Sequence, residues 1–503
     1  MDFLDPKKQR AHMIRLFAGY ALIGIAILIA TLILLYQAYG FGLAKDGQVI
    51  QNGLVFLSSQ PTGARIYLNG TQYKNDTATK LQLEAGQYKV ELQRDGYRNW
   101  QRIITVDGGS LQHFDYPLLV PTKITTTTVK AYAAAPGFAS QSPDRRWLVV
   151  QQDSAPLAFD LFDLADPKKV TAEATTFSLP EALITSPKAG QHSWKLIEWS
   201  TDNRRVLVQH TFTYGTPAVT GSEYVVIDRA EPDQSVNLTK TLSLAAGWQV
   251  TLRDKKFDKY YVYDPEAHTL GTASVADAGK VTALLSHVLA YKSYGSNIVL
   301  YVTDEGVSAE GKVMSMLLDD GQTYRLREHG ATAPYLIDLA QYNGEWFVAV
   351  GASGDNKVYV YKNPQRIRKA SLTAALVPVR ILRVTAPNYL AFSSNTQYIM
   401  ASNGTSFADY DAEYDKGYTF TSSLPLDPPA AHATWMDGNR LTYVSGSKLA
   451  VLDYDNINAQ SLVPASADYL PFFSRDYVTL YTLAPTGAGM ALTSSSLRTS
   501  ADQ

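Results

Sequence analysis

An uncharged apolar run near the N-terminus constrains this chain more than any other feature. Residues 16–36 read LFAGYALIGIAILIATLILLY, which gives about 20 residues without a charge. At about 1.5 Å of rise per residue, this length matches the ~30 Å hydrocarbon thickness of a bilayer. We therefore predict a transmembrane helix over 16–38. Its membrane-anchoring side chains include Leu16, Phe17, Ile23, Ile27, Leu32 and Leu35.

The charges before this run predict its orientation. Basic residues stand at positions 7, 8, 10 and 15, against acidic residues at 2 and 5. The positive-inside rule therefore makes residues 1–15 a cytoplasmic tail and places the rest of the chain outside the cell membrane. A cleaved signal peptide is the alternative, with a weak cleavage motif at Gly42 and Ala44. Signal cores usually run only about 7–15 residues, however.

Composition limits the class of the remaining chain. A net charge of −2 argues against nucleic acid as a partner, because phosphate binding needs a strongly basic surface. The chain has no Cys, which excludes disulfides, thiol catalysis and Cys-ligated metals. The 32 Tyr residues favour strands, and an aromatic binding face is the alternative explanation. The length of 503 residues predicts two or three folded units, and the strand-forming residues predict a mainly β chain.

Residues 53–120 alternate strand patterns with turn signals. In ARIYLNG, Ile66 and Leu68 mark one buried face, and Asn69-Gly70 predicts a hairpin turn. The order of turn and aromatic residues resembles the PEGA domain, a small β-sandwich of bacterial and archaeal surface proteins. The resemblance is carried by Ser59, Pro61, Gly63, Ala64, Tyr67, Asn69, Gly70, Leu83, Gly86, Tyr88, Val90, Gly96, Tyr97 and Trp100. The name motif reads Pro-Thr-Gly-Ala here, so its second position departs from Glu. The resemblance implies a non-catalytic module beside the membrane, either a spacer or a binding module.

Residues 125–490 contain diverged copies of a polar turn followed by an apolar strand. The copies are SPDRRWLVV at Ser142, STDNRRVLV at Ser200, SSNTQYIMA at Ser393, MDGNRLTYV at Met436 and SRDYVTLYT at Ser474. Two pairs of neighbouring copies are 58 (200 − 142) and 38 (474 − 436) residues apart. Units of roughly 40–55 residues with about four strands are typical of β-propeller blades. We expect seven blades, with an eighth left open, and 249–330 is the hardest part to divide.

The turns resemble those of TolB-type, WD40-like propeller repeats, in which Ser-Pro-Asp-Gly precedes the second strand. Ser142, Pro143 and Asp144 keep this motif, and Arg145 replaces its Gly. The resemblance implies a fold more than a function. The Thr-rich segment 123–132 would close the ring by pairing with the last blade, and we expect 491–503 to be a flexible tail.

The sequence offers little evidence of catalysis. It has no HExxH, GxSxG, Walker or dinucleotide-binding pattern, and its eight His are scattered. Alternating carboxylates in SFADYDAEYDKGYTF are the weak metal candidates, and Ca²⁺ is the ion they would suit. They are Asp409, Asp411, Glu413 and Asp415. A solvated loop is the alternative, and we otherwise expect no cofactor.

We therefore hypothesise a non-enzymatic, membrane-anchored envelope protein whose propeller binds a protein, peptide or glycan. Other envelope proteins and cell-wall glycan are the expected partners. The candidate ligand-binding residues are the aromatics Trp194, Tyr214, Tyr294, Tyr410 and Tyr414. A propeller glycoside hydrolase or lyase that uses carboxylates on the blades is the alternative, and a coat or scaffold subunit is a third hypothesis.

Overall fold

The computed structural model describes residues 6–38, 41–43, 49–170, 174–188, 190–277, 280–295, 297–306, 311–329, 333–428 and 432–502. Two compact units make up the chain. The first contains the residues up to Lys123 together with those from Arg498 onward, and the second is Ile124–Leu497. The acidic residues at 2 and 5 and Ala44, which enter the orientation and cleavage arguments, lie outside the described residues.

A long helix, Pro6–Ala38, begins the first unit. Its stretch His12–Tyr36 is long and apolar enough to cross a membrane, and none of its most apolar part is buried. The six predicted anchor residues are all exposed: Leu16, Phe17, Ile23, Ile27, Leu32 and Leu35. The predicted apolar N-terminal helix is thus confirmed. Such a helix is typical of a single-pass anchor and also of a signal sequence.

Two small sheets follow the helix in the first unit. The three-stranded sheet has the order Thr79–Leu83, Gly53–Leu57, Leu111–Phe114, and the four-stranded sheet has the order Thr71–Gln72, Arg65–Leu68, Gly86–Gln93, Trp100–Val106. Phe41–Leu43 and Val49–Gln51 form a separate pair. Alternate residues of both sheets enclose one core that contains Val55, Ile66, Leu81 and Trp100. This inward and outward alternation produces the sandwich.

The predicted hairpin at Asn69-Gly70 is confirmed. Asn69 and Gly70 have φ of 49° and 84°, and Leu68 pairs with Thr71 on the other side of the turn. A two-residue turn that matches the twist of its strands needs positive φ at both central positions. Asn and Gly are the residues that adopt this conformation most readily.

The second unit contains eight four-stranded sheets among its described residues. Sheets 1–4 are, in order, Ala139–Gln141, Trp147–Gln151, Ala158–Asp163, Thr175–Ser178; Gln191–Trp199, Arg205–Tyr214, Val219–Asp228, Val236–Asn237; Gln249–Arg253, Lys256–Asp264, Thr269–Ser274, Thr282–Leu285; and Val288–Tyr294, Ile298–Thr303, Lys312–Leu317, Thr323–His329. The short helices Leu238–Thr241 and Pro364–Ala370 lie in connections of this unit.

Sheets 5–8 complete the second unit. They are Tyr335–Tyr342, Glu345–Ala352, Lys357–Lys362, Arg380–Arg383; Tyr389–Phe392, Tyr398–Ser402, Ser406–Asp411, Lys416–Thr421; Thr434–Trp435, Arg440–Ser445, Lys448–Asp453, Gln460–Pro464; and Phe472–Phe473, Thr479–Thr486, Gly489–Ser496, Thr126–Tyr132. Neighbouring strands within each sheet are antiparallel, and successive sheets are consecutive in sequence, which is the organisation of a β-propeller.

The repeated turn explains why diverged copies fold alike. Ser142 Oγ accepts a hydrogen bond from the amide of Trp147 at 2.9 Å, and Asp144 accepts one from the amide of Arg146 at 3.1 Å. Equivalent bonds to Ser393 and Ser474 are 3.0 and 2.8 Å long. The residue that replaces Gly in the motif, Arg145, has a φ of 61°. Ser and Asp side chains thus hold a turn that Gly would otherwise favour.

Hydrophobic clusters join neighbouring sheets. Phe159 of sheet 1 and Trp194 of sheet 2 share one cluster, and Leu148 of sheet 1 and Leu492 of sheet 8 share another. Between sheets 7 and 8, the Thr482 hydroxyl donates a hydrogen bond to the Pro464 carbonyl at 2.9 Å. Sheet 1 therefore shares buried side chains with both sheet 2 and sheet 8.

The strand Thr126–Tyr132 pairs antiparallel with Gly489–Ser496. The predicted Thr-rich strand thus lies in the sheet formed by the end of the second unit. Gly489–Ser496 includes the first six residues of the segment 491–503, for which the sequence predicted a flexible tail. It is a paired strand because Ala491 and Leu492 are buried and both of its edges carry hydrogen-bonded neighbours.

Candidate functional site

The five predicted ligand-binding aromatics lie in three different sheets. Trp194 is buried in sheet 2, where it stacks on His210 at a centroid distance of 4.2 Å, and Tyr410 is buried in sheet 6. The other three are exposed: Tyr214 in sheet 2, Tyr294 in sheet 4 and Tyr414 in the last turn of sheet 6. The structure does not bring these five side chains into one site.

The four acidic metal candidates divide between a strand and a turn. Asp409 and Asp411 are buried in the third strand of sheet 6, whereas Glu413 and Asp415 lie in the turn that follows. Glu413 accepts a hydrogen bond from the hydroxyl of Tyr342. Within the described ranges, no three His, Asp or Glu side chains form a group that could hold a metal ion. Calcium binding by these residues stays a prediction.

Asp409 is nevertheless unusual. Its side chain has no exposed surface, and neither carboxylate oxygen has a hydrogen-bond partner in the described part of the chain. Burial, reinforced by the nearby charge of Asp455, raises the pKa of Asp409 well above its ordinary value. Its surroundings between sheets 6 and 7 therefore disfavour the charged form of this carboxyl.

The first strands of the eight sheets contact one another in sequence. From sheet 1 back to sheet 1, the contacts are Ser140 with Trp199 (2.8 Å), Glu198 with the Leu252 amide, Thr251 with Tyr291 (2.9 Å), Lys292 with Asp338 (3.5 Å), Asp338 with the Phe392 amide, Ala391 with Trp435 (3.4 Å), Met436 with Tyr477 (3.2 Å), and Phe473 with Gln141 (2.8 Å). Polar side chains near the first strands therefore connect each sheet to the next.

Three charged residues of these first strands, Glu198, Lys292 and Asp338, are called the first-strand cluster below. Asp338 is 8% exposed and accepts a hydrogen bond from the Leu339 amide at 3.0 Å. Burial raises the pKa of both Glu198 and Asp338, and the ammonium of Lys292 opposes this effect at each. Carboxyls with raised pKa values and a nearby ammonium are the kind of groups that can act as acids or bases towards a ligand.

A cleft of about 670 Å³ lies along sheet 3 next to sheet 4. It is lined by Arg253, Lys259, Thr272, Ala273, Ser274, Asp277, Lys280, Thr282 and Asn297. Arg253 donates a hydrogen bond to Asn297 Oδ1 at 2.6 Å, and its guanidinium lies 5.9 Å from the ring centre of Tyr261. Three cations and four hydroxyl or amide side chains thus face one cleft that has a single carboxylate. This arrangement suits an anionic ligand rich in hydroxyl groups.

A hydrogen-bonded chain crosses sheet 2. His192 Nδ1 lies 2.9 Å from His210 Nε2, and His210 Nδ1 lies 3.0 Å from Glu223 Oε1. Asn237 and Thr185 also donate to Glu223. Burial alone would raise the pKa of Glu223, but these hydrogen bonds outweigh it and lower the pKa to about 2. A buried anion with this many donors stabilises the sheet.

No residue of the first-strand cluster or of the cleft is among those predicted from the sequence. Glu198 and Asp338 did carry a signal, because each interrupts an apolar strand pattern, in WKLIEW and YLIDLA. The cleft carried no comparable signal. Its cations, Arg253, Lys259 and Lys280, come from separate strands and turns and look like ordinary surface residues in the sequence.

Comparison with known proteins identifies one part of the chain. Residues 52–120 match the PEGA domain family, which confirms the resemblance described for 53–120. A comparison with curated proteins finds no match.

Solved structures that are similar to the chain include three β-rich proteins. Dipeptidyl peptidase 4 of Porphyromonas gingivalis has a TM-score of 0.46 and 10% identity, over 72% of this chain and 58% of that chain. Oligogalacturonate lyase of Vibrio parahaemolyticus has a TM-score of 0.37 and 9% identity, over 75% of this chain and 100% of that chain. Hsv2 of Kluyveromyces lactis has a TM-score of 0.38 and 10% identity, over 67% of this chain and 98% of that chain.

Proposed function

We propose that this protein is a membrane-anchored binding platform of the cell envelope, and that its second unit is a closed, eight-bladed β-propeller that binds an anionic glycan. The observation that carries the proposal is the cleft along sheet 3, where Arg253, Lys259 and Lys280 face four hydroxyl or amide side chains. The protein acts by holding its ligand at the membrane and not by transforming it.

Two observations support the closed ring. The contacts between first strands run from sheet 1 to sheet 8 and return to sheet 1 through Gln141 and Phe473. The strand Thr126–Tyr132, which comes first in the second unit, is the outer strand of the sheet that comes last. Joining the two ends of a unit in one sheet removes an open seam and leaves only short edges, which is how propellers avoid edge pairing.

The charge of the cleft supports an anionic ligand. Residues 1–15 carry +2, so the rest of the chain carries −4 (−2 − 2). The cleft, with three cations and one carboxylate, is therefore positive although the chain after residue 15 is negative overall. Thr272, Ser274 and Thr282 add hydroxyl groups that suit sugar hydroxyls. A glycan that carries carboxylates or phosphates satisfies both features.

The exposed apolar helix supports membrane anchoring, and the basic residues before it support a cytoplasmic N-terminus. The absence of Cys from the sequence makes this orientation easy to test by labelling. In intact cells, an impermeant maleimide should label Leu372→Cys, at a site that is 73% exposed, but not Gln9→Cys. Labelling of Gln9→Cys alone would reverse the orientation. After cell lysis, both variants should react.

The binding proposal is tested with the full chain in lipid nanodiscs. A uronate oligomer and a polyol-phosphate oligomer are titrated separately, with a neutral oligosaccharide as the control ligand. We expect one anionic oligomer to bind, and affinity to fall as salt rises. The triple change Arg253→Gln, Lys259→Gln, Lys280→Gln should weaken binding at least tenfold. Lys448→Gln, an exposed lysine of sheet 7, is the matched control. Equal binding of the neutral oligomer would refute the proposal.

A second candidate function is acid catalysis on a polysaccharide. The observation that favours it is the first-strand cluster, in which Glu198 and Asp338 have raised pKa values and Lys292 lies 3.5 Å from Asp338. Glycoside hydrolysis uses one carboxyl with a raised pKa as the acid and a second, ionised carboxylate as base or nucleophile. New chain ends released from the bound glycan, and lost in Glu198→Gln and Asp338→Asn, would establish catalysis. Binding without cleavage at any pH from 4 to 8 would leave the platform function alone.

A further inference from the structure

Residues 498–502 pack against the β module of their own unit, the sheets formed by 53–114. The amide of Thr499 donates a hydrogen bond to the Tyr97 hydroxyl at 3.0 Å, and this hydroxyl donates to Asp502 Oδ2 at 2.7 Å. Arg94 forms an ion pair with Asp502 Oδ1. Thr499 Oγ1 completes the arrangement, with a hydrogen bond to Asp502 Oδ2 at 3.0 Å. Both oxygens of one carboxylate are therefore held.

Arg94 has further contacts within the module besides its ion pair with Asp502. Arg94 also donates to the carbonyl of Thr62, and its guanidinium lies 5.8 Å from the ring centre of Tyr97. These contacts fix the guanidinium beside the phenol hydroxyl. A binding group that is positioned before its ligand arrives loses less entropy when the ligand binds.

Gly96 provides the surface on which the segment lies. It has a φ of 83°, in the turn Asp95-Gly96, and a Cβ at this position would lie 3.1 Å from Thr499 Cγ2. A larger residue would therefore be strained in the turn and would press against the segment. The turn thus combines an open backbone with two carboxylate-binding side chains.

The chemistry of this contact is that of carboxylate recognition. The Arg94 and Asp502 side chains are 26% and 16% exposed, so the ion pair is largely shielded from water. The hydrogen bond from Tyr97, followed by the one from Thr499 and the charge of Arg94, lowers the pKa of Asp502. The site thus favours the ionised carboxylate, as charge-assisted hydrogen bonds do.

We propose that Arg94, Gly96 and Tyr97 form a binding site for an acidic peptide segment with Thr three residues before Asp, and that residues 498–502 occupy this site in cis. A partner protein that carries such a segment binds the β module by displacing the chain's own segment. The site is separate from the glycan cleft, and it needs no contribution from the propeller.

The occupied state is favoured by effective concentration. A segment tethered to the same chain sees its site at about millimolar effective concentration, so a weak contact is enough to keep it bound. An external segment must match that value. Emptying the site in cis should therefore reveal binding that the unchanged protein conceals.

The test uses the full chain in nanodiscs with Thr499→Ala and Asp502→Ala together, which removes both side chains that anchor the segment. A fluorescent peptide of sequence RTSADQ, residues 498–503, is titrated against this variant and the unchanged chain. We expect saturable binding that is at least tenfold tighter to the variant. A peptide with Asn in place of Asp should bind at least tenfold more weakly than RTSADQ.

Two further substitutions distinguish peptide recognition from a purely structural contact of residues 498–502. In the emptied background, Tyr97→Phe removes a single hydroxyl and should weaken peptide binding severalfold while the module stays folded. Asp95→Asn, which alters an 89% exposed carboxylate paired with Arg65 on the same module, is the matched control and should change nothing. If the emptied variant is folded by circular dichroism and RTSADQ shows no saturable binding at millimolar concentration, the proposal is wrong.

Discussion

Glu223 in sheet 2 is expected to stabilise the fold as a buried anion, and replacing it by Gln tests this. Hydrogen bonds from His210, Thr185 and Asn237 overcome burial and hold the pKa of Glu223 at about 2, against an ordinary value of 4.5. A difference of roughly two and a half in pKa corresponds to about 3 kcal/mol. Because the folded pKa is lowered, this contribution is fully present above the unfolded pKa of 4.5. It is lost as the pH falls from there towards 2.

Glu223→Gln keeps the size of the side chain and removes its charge. At pH 7, we expect the free energy of unfolding to fall by about 3 kcal/mol, because three donors lose a charged acceptor. At pH 3, partial protonation reduces the stabilisation that Glu223 gives to the wild type by about 2 kcal/mol. The difference in unfolding free energy between the wild type and Glu223→Gln therefore narrows by that amount. His210→Gln in both backgrounds should show that the two residues are coupled.

Urea unfolding at pH 7 and pH 3, followed by tryptophan fluorescence, measures this gap. Trp194 is a suitable reporter, because its ring stacks on His210 at 4.2 Å. Glu231→Gln, a carboxylate whose side chain is 62% exposed, is the matched control and should cost less than about 0.5 kcal/mol at both pH values. A gap that stays constant between pH 7 and pH 3 would mean that Glu223 is not an anion stabilised by its donors.

Three other changes follow from buried or apolar residues. Asp409→Asn should raise the melting temperature at pH 8 but not at pH 4, because a raised folded pKa makes the wild-type carboxyl more costly as pH rises above its unfolded value. Lys130→Met should cost about 3 kcal/mol in urea unfolding, since it removes the ammonium 2.7 Å from the fully buried Asp160. Lys169→Met, with a side chain that is 83% exposed, should cost less than about 0.5 kcal/mol. Ile27→Arg should oppose membrane insertion by about 3 kcal/mol and move protein out of the carbonate-resistant membrane fraction, whereas Ile27→Leu should not.

Turns in both units could be predicted from sequence where local chemistry determines their conformation. The hairpin at Asn69-Gly70 could be predicted because its two-residue turn needs positive φ at both positions, and Asn and Gly adopt positive φ readily. Ser142, Ser393 and Ser474 mark the turns of their sheets for the same reason, since each hydroxyl has a fixed backbone partner five residues later.

Residues 249–330 could not be divided because their turns use other chemistry. The first turn of sheet 3 contains Asp254 and Lys255, which both have positive φ, and the first turn of sheet 4 contains Gly295. Neither turn has the Ser motif that marks other copies. Two four-stranded sheets are present in this stretch. Turn geometry is therefore retained where the sequence signal for it is lost.

The candidate sites were less predictable than the fold. The first-strand cluster joins residues that are 46 (338 − 292) and 94 (292 − 198) positions apart in the sequence, and which side chains meet depends on the order and register of the sheets. Of the predicted aromatics, Trp194 and Tyr410 are buried in the core, and ligand binding by all five stays a prediction. A charge inside an apolar strand is the better signal, since burying it without a partner is costly.

Two groups of buried carboxyls differ in a way that separates structural from functional roles. Glu223 is 2% exposed and has a lowered pKa. Its carboxylate already accepts hydrogen bonds from several donors of the protein, so it is poorly placed to bind a ligand. Asp338 has a raised pKa, and its cationic partner Lys292 keeps 53% of its side chain exposed. Well-packed hydrophobic residues often replace a buried ion pair without loss of stability. The incompletely neutralised first-strand cluster is thus the better place to look for chemistry, and the fully satisfied chain in sheet 2 is the better place to look for stability.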